Sequence, residues 1–199
     1  MFYSNTQEMK ESINHFSLAD LKRHMGIEDG LNNHVLIHDF AVENNTRKSP
    51  TSGRADAIGI VMCHEGEISA TINSRDFLLK SGMAAMILPN CIYDLTPSGT
   101  AARGTIFAVS ASLLKDMHID IRQMIPFGMH VYHNPCFHFS EPNMALYNRY
   151  IEMMRMVSQR DKSHSLPVVQ GLLASMMAFI FSKERAFSDR ATTIPGFTR

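Results

Sequence analysis

The side chains that most often carry out chemistry in proteins are plentiful in this chain, but their spacing does not suit a reactive centre. The sequence contains ten histidines. His34 and His38 are four residues apart in a strand-like segment, which would separate them by about 13 Å. A catalytic metal needs two or three imidazoles and a carboxylate that converge on one point. No H-x-H pair occurs in the sequence, so we expect no bound metal.

Nucleophilic catalysis has no better support. The sequence contains neither the G-x-S-x-G pattern of a nucleophile elbow nor a glycine-rich phosphate loop. The three cysteines, Cys63, Cys91 and Cys136, lie far apart and form no CxxC pair. That usage is typical of reduced thiols in a cytoplasm. We therefore expect no catalytic residue, no cofactor and no enzymatic activity.

The composition excludes several other classes of protein. Lys+Arg and Asp+Glu both number 19, so the chain as a whole is not a basic surface for nucleic acid. Apolar residues make up 45% and charged residues 19%, which excludes bulk disorder. No run approaches the roughly 20 apolar residues of a membrane-spanning helix. Charged side chains interrupt the first positions, where a secretory signal would lie. We expect a cytoplasmic protein without membrane contact.

The middle of the chain consists of short strand-like segments. They alternate or run apolar between turns that contain Gly, Pro or Asn, and no helical segment separates them from residue 57 to residue 110. This pattern predicts an all-β barrel or sandwich. A small barrel can hold one small ligand, although a barrel filled by its own side chains is the alternative. Alternation along the strands predicts that the lumen is lined by Ile60, Met62, His64, Tyr93, Leu95, Thr105 and Phe107.

Two helices are predicted after the strands. Ser140-Glu141-Pro142 begins the first, and the second runs from near Pro167 to about Phe187. The apolar stripe of the second helix is wider than one packing partner requires. One interpretation is burial against its own domain on one side and a second subunit on the other; the alternative is a helix deep in its own core. The first interpretation predicts a dimer interface at Val169, Leu172, Leu173, Met176 and Ile180.

The order of these parts resembles the N-terminal cupin domain of AraC-type bacterial transcription regulators. The likeness is carried by the segments 58–67 (IGIVMCHEGE), 77–82 (FLLKSG) and 86–93 (MILPNCIY). The family pattern is strand–Gly–strand, a short strand ending in Gly, and an apolar strand ending in Pro before a residue that is often His. Here Tyr93 stands near that His. The resemblance covers about residues 35–187.

The resemblance implies a cupin-like β-barrel (jelly roll) followed by an antiparallel helix pair, α+β overall. It implies that the barrel senses a small-molecule effector and that the helices form a homodimer. DNA would be contacted only through a C-terminal helix-turn-helix domain that is not in this chain. Pocket positions would fall near Arg54, Tyr93, Leu95, Thr105 and Phe107. The implied organisation is a helical lead-in (1–30), the barrel (31–140), dimerisation helices (141–187) and a linker (188–199).

Two other functions stay open at this point. One is a metal-dependent cupin enzyme that acts on a small metabolite, although the paired histidines of metal cupins are absent. The other is a cyclic-nucleotide sensor on a similar β-roll. Such a sensor needs a phosphate-cradling turn with a well-placed arginine, for which Arg75 and Arg103 are the nearby candidates.

Overall fold

The computed structural model describes residues 15–24, 26–27, 33–43, 53–117, 121–160 and 165–182. The predicted linker at 188–199 lies outside these described residues. The elements, in chain order, are β1 (His15–Phe16), α1 (Leu18–His24), β2 (Val35–Glu43), β3 (Gly53–Ala55), β4 (Ala57–Ile72), β5 (Arg75–Lys80), β6 (Met83–Ile87), β7 (Ile92–Ser110), α2 (Ala111–Asp116), α3 (Ile121–His133), β8 (Cys136–His138), α4 (Glu141–Arg160) and α5 (Ser165–Ser182).

Two long strands, β4 and β7, form the centre of the sheet. They pair antiparallel from Ala57 opposite Ser110 to Ile72 opposite Tyr93. The first half of β4 also pairs with β6 and its second half with β5. In the same way β7 pairs with β3 near its start and with β2 near its end. Because both long strands change neighbours midway, the sheet forms two layers, β3–β7–β4–β5 and β2–β7–β4–β6–β8.

Two predicted turns lie inside these long strands. They are Glu65-Gly66 in β4 and Pro97-Ser98-Gly99 in β7, where Gly and Pro in the sequence predict that a strand ends. Instead, the register of β4 against β7 shifts between Cys63 and Glu65 and again between Gly66 and Ile68. Such bulges take up extra residues and bend a strand without ending it. The turn signals therefore mark the points where the sheet bends from one layer to the other.

The sheet separates two buried clusters. The inner core lies between the two layers and includes Val61, Cys63 and Ile68 of β4. The outer core lies between the opposite face of the second layer and the helices, and it includes Ile60 and Met62 of the same strand. Successive strand residues point to opposite faces, so β4 supplies both cores by simple alternation.

The helices complete the outer core. Helices α4 and α5 run antiparallel, and the Tyr150 hydroxyl lies 3.2 Å from Ser175 Oγ. The predicted combination of β-strands followed by a helix pair, α+β overall, is confirmed. Within the described parts of the chain, no helix is long and apolar enough to cross a membrane.

Candidate functional site

The outer core contains an apolar cavity of about 40 Å³. The sheet forms its floor and α5 covers it, while α2 and α3 close the sides. A water molecule needs roughly 10–15 Å³ and two or more polar partners. The cavity has room for water but no polar lining residue, so it suits an apolar guest better than water. It is smaller than the roughly 150 Å³ apolar cavity that holds one benzene, so an organic guest must displace lining side chains. Its lining consists of Ile58, Ile60, Met86, Phe107, Val109, Leu114, Phe127, Leu173, Met176, Met177 and Ile180.

Strand register and helical spacing bring these residues together. Ile58 lies opposite Val109, and Ile60 lies opposite Phe107, so four side chains form two adjacent rows on one sheet face. The lining residues of α5 recur at helical spacing and face the same floor. Three methionines line the space, and their unbranched side chains can change shape around a guest.

The structure divides the seven predicted lumen residues between the two faces of the sheet. Ile60, Met62 and Phe107 belong to the outer core, and the first and last of these line the cavity. Tyr93 and Leu95 belong to the inner core. These residues therefore do not surround one common lumen. The sheet is apolar on both faces, so alternation predicts which residues share a face but not which face holds a guest.

Arg54, the pocket position taken from the family resemblance, lies on β3 opposite Ile92. Its neighbour Ala55 points into the inner core, so the Arg54 side chain leaves the opposite face of the strand. Its Nε atom is buried and has no hydrogen-bond partner among the described residues. Arg54 does not line the cavity. On the inner side, burial raises the pKa of Tyr93 to about 12.

The residues predicted for a dimer interface have different neighbours from those expected. Val169, Leu173, Met176 and Ile180 are buried in the outer core of their own chain, and Leu172 packs partly against it. In this arrangement the four buried side chains offer no surface to a partner. Their burial corresponds to the other interpretation of the wide stripe, a helix covered within its own domain.

Helix α4 carries an exposed apolar stripe that was not predicted from the sequence. Leu146, Met153 and Met156 are 38%, 41% and 48% exposed. They lie away from the face of α4 that carries the buried Tyr147 and Met154. Helical spacing in the sequence would have separated the two faces, because the stripe recurs at seven and ten residues from its first member.

A polar row adjoins the apolar floor of the cavity. Thr105 Oγ1 donates a hydrogen bond to Asp39 Oδ1 at 2.8 Å. Arg155 Nη2 of α4 donates to Asp39 Oδ2, also at 2.8 Å. His64 Nε2 lies 2.9 Å from Thr105 Oγ1. The row joins three strands and a helix, and only two of its members, His64 and Thr105, were predicted from the sequence.

The position of His64 in the bulge accounts for its part in this row. The register of β4 against β7 skips His64 between Cys63 and Glu65, and a bulge of this kind can re-aim a side chain. Within the described ranges, no group of three or more His, Cys, Asp or Glu side chains lies close enough to hold a metal ion.

Comparison with known proteins gives one family match. A family model described as the AraC-like ligand binding domain matches residues 41–175. A search of curated proteins found no match. Similar solved structures include the unsaturated fatty acid-bound ToxT of Vibrio cholerae, at 9% identity and a TM-score of 0.43, covering 76% of this chain and 57% of that one.

Two further structures are a Cnp3 cupin domain and an RmlC-like cupin. The Cnp3 domain is from Schizosaccharomyces pombe, with 15% identity, a TM-score of 0.37, and coverage of 43% of this chain and 59% of that one. The RmlC-like cupin, a double-stranded β-helix from Methanocaldococcus jannaschii, has 10% identity and a TM-score of 0.37, covering 44% and 79%. The chain thus spans less than two thirds of the ToxT and Cnp3 chains. At these identities the likeness concerns the fold alone.

Proposed function

Since the chain belongs to the family of AraC-like ligand-binding domains, we propose that it is the effector-binding and dimerisation part of a bacterial transcription regulator that acts in the cytoplasm. Its role is regulatory rather than catalytic. DNA contact belongs to a helix-turn-helix domain outside this chain. The observation that carries the proposal is the apolar cavity between the sheet and α5.

The effector of this proposal is a small, mainly apolar molecule in the outer-core cavity. Ligand sites are mostly apolar hollows with few polar groups, and the lining has that composition. The empty cavity is smaller than such sites, so a guest enlarges it by displacing the flexible methionines of its wall. A guest there touches Phe107 of β7 and Leu173 of α5 together. A ligand shifts an equilibrium only by its difference in affinity for the two states. A guest that contacts both the sheet and α5 loses some of these contacts when α5 moves relative to the sheet. Its affinity therefore differs between the two positions of α5.

Thermal unfolding with a small apolar probe, such as toluene, tests the site. Ligand at about 100 times its Kd stabilises by about 2.7 kcal/mol, which corresponds to a rise in Tm of about 5–10 °C for a domain of this size. Leu114→Phe should fill the cavity from its half-buried side and remove most of this rise. Leu95→Phe is the matched control, because Leu95 is equally half-buried but packs against the inner core.

The two variants also locate the guest if the proposal fails. If the probe no longer raises the Tm of Leu95→Phe but still raises that of Leu114→Phe, the guest binds between the two sheet layers instead. Far-UV circular dichroism shows whether each variant keeps its fold.

The proposed homodimer uses the exposed stripe of α4, Leu146, Met153 and Met156. Burying this stripe against a second copy would remove three apolar side chains from water. We expect light scattering to show a dimer, and Met153→Glu to shift it toward monomer. Ile125→Glu is the control, because Ile125 is 54% exposed on α3. A monomeric wild type, or equal loss in both variants, would contradict the α4 interface.

A further inference from the structure

We propose that the polar row of Asp39, Thr105, His64 and Arg155 holds the head group of an uncharged amphipathic effector whose apolar part fills the neighbouring cavity. This inference rests on the proposed effector site in the outer core. It adds two residues, Asp39 and Arg155, and a chemical class of ligand.

The strand register places the polar row directly beside the cavity floor. Phe107 lines the cavity and lies opposite Ile37 of β2 and Ile60 of β4. Two residues further along β7, Thr105 lies opposite Asp39 and Met62. Two residues of a strand span roughly 6.8 Å, which a short aliphatic chain can bridge. Met62 of β4 lies in the same cross-strand row as Thr105, next to the row of Ile60 and Phe107, and a methionine can rotate to admit such a chain.

The hydrogen bonds fix which atoms donate within the row. The single hydroxyl proton of Thr105 goes to Asp39, so Thr105 Oγ1 can only accept from His64 Nε2. His64 therefore carries a proton on Nε2. Arg155 donates to the second oxygen of Asp39. A guanidinium has five N–H donors and a carboxylate about four acceptor positions, so this pair keeps spare donors and acceptors for a guest.

The row stands at the water-facing end of the site. The side chains of Asp39 and Arg155 are 57% and 33% exposed, whereas Phe107 is only 4% exposed. A molecule that spans both regions would place its apolar part inside and its head group at the surface. A ligand that fits both regions is therefore amphipathic.

The ion pair selects against a charged head group of either sign. A carboxylate that approaches Arg155 also meets Asp39, and an ammonium that approaches Asp39 also meets Arg155, because the two charges are 2.8 Å apart. Glu152 adds a second carboxylate, 3.8 Å from Arg155 Nη1, so the cluster is net negative and rejects an anionic head group more strongly than a cationic one. A hydroxyl or carboxamide donates to the carboxylate and accepts from the guanidinium, so it can join the pair without separating it.

Four probes with the same six-carbon chain test the head-group preference: 1-hexanol, hexanamide, hexanoate and hexylamine. Titration calorimetry at neutral pH should give Kd values for the two neutral probes about twofold to fivefold below those of the two charged probes, with hexanoate the weakest, the range expected for partly exposed charges. Equal affinity for all four would refute the anchor and leave the apolar effector site standing. Binding of none would refute the effector site and the anchor together.

Two variants test whether the polar row causes the preference for neutral head groups. Asp39→Asn removes the negative charge at an exposed side chain, so hexanoate should gain about twofold to fivefold relative to 1-hexanol. Thr105→Val should weaken the neutral probes by a similar factor. Thr71→Val is the matched control, because the Thr71 hydroxyl donates to Asp76 in the β4–β5 hairpin, at 2.7 Å. An unchanged order of the four probes in Asp39→Asn, or equal weakening by both threonine variants, would overturn the assignment.

Discussion

Replacement of Tyr147 by phenylalanine should stabilise the protein, although it removes a polar atom. Tyr147 is 1% exposed in the outer core, and its hydroxyl has no hydrogen-bond partner among the described residues. A buried unpaired polar group costs about 1–3 kcal/mol. The ring stays in place and keeps its packing on Phe139, with centroids 5.5 Å apart. The small void left by the oxygen offsets part of the gain, so we expect the free energy of unfolding to rise by about 1 kcal/mol.

The same substitution one turn later should have the opposite sign. The Tyr150 hydroxyl lies 3.2 Å from Ser175 Oγ, so Tyr150→Phe removes a hydrogen bond and should lower the free energy of unfolding by about 0.5–1 kcal/mol. Urea unfolding at pH 7, followed by circular dichroism, measures both variants with an unchanged m value. If Tyr147→Phe destabilises as much as Tyr150→Phe, the Tyr147 hydroxyl has a partner and the reasoning is refuted.

Alkaline unfolding gives a second measure of Tyr147. Burial raises the pKa of this phenol above the ordinary value of 10.0. Above pH 10 the unfolded chain releases the proton while the folded chain keeps it, so stability falls as pH rises. Tyr147→Phe should remove this part of the fall, and its advantage over wild type should therefore be larger at pH 11 than at pH 7.

Three further predictions concern single positions. An alanine at Gly104 would place its Cβ against the Met62 carbonyl oxygen and the Phe40 ring, so Gly104→Ala should cost about 3 kcal/mol in chemical denaturation. Gly171→Ala, at a helical position with open space, should instead gain about 0.5–1 kcal/mol, and a loss at Gly171 would mean that α5 is covered there. Because burial raises the pKa of Tyr93 to about 12, its contribution to stability should be present below pH 10 and lost between pH 10 and 12. Tyr93→Phe should remove this loss, and an unchanged profile in pH-dependent unfolding would contradict the raised pKa.

The strands and the helix pair were predictable because their signals are local. Alternation in 67–73, the apolar run before Pro89 and the cap at Ser140 each depend on neighbouring residues. Which of the two cores each strand residue enters could not be predicted from local signals. Ile60 and Val61 are adjacent, and both are almost fully buried, at 3% and 2% exposure. A sheet with a core on each side leaves no polar face to show which side a guest occupies.

The wide stripe of α5 shows a similar limit. Val169 and Leu173 are buried in the outer core, and Leu172 is partly buried against it. A second subunit in place of α4 would impose the same periodicity on α5. The width of the apolar stripe in the sequence indicates how much of the helix surface is buried. It does not indicate whether the element that buries it belongs to the same chain or to a second subunit.

The polar row was the least predictable part of the candidate site. Asp39 and Arg155 are separated by 116 positions in the chain, and neither belongs to a local motif. Period two along β2 puts Asp39 on the face that carries Ile37, but nothing local indicates that α4 places a guanidinium there.

The position of the cavity determines how an effector would act on the helices. A guest between the two sheet layers would reach α5 only by deforming β7, which is held by β2 on one side and β4 on the other. A guest in the outer core touches α5 directly, at Leu173 and Met176. Any difference in its affinity for two helix positions then shifts their populations by the same factor, about tenfold for each 1.4 kcal/mol. Phe107→Leu should therefore weaken the effector and leave the α4 dimer unchanged in its absence. Met153→Glu should shift the dimer toward monomer, and it should change the affinity for the effector by no more than this coupling between effector and helix position. Complete loss of effector binding in Met153→Glu would mean that the cavity forms only in the dimer.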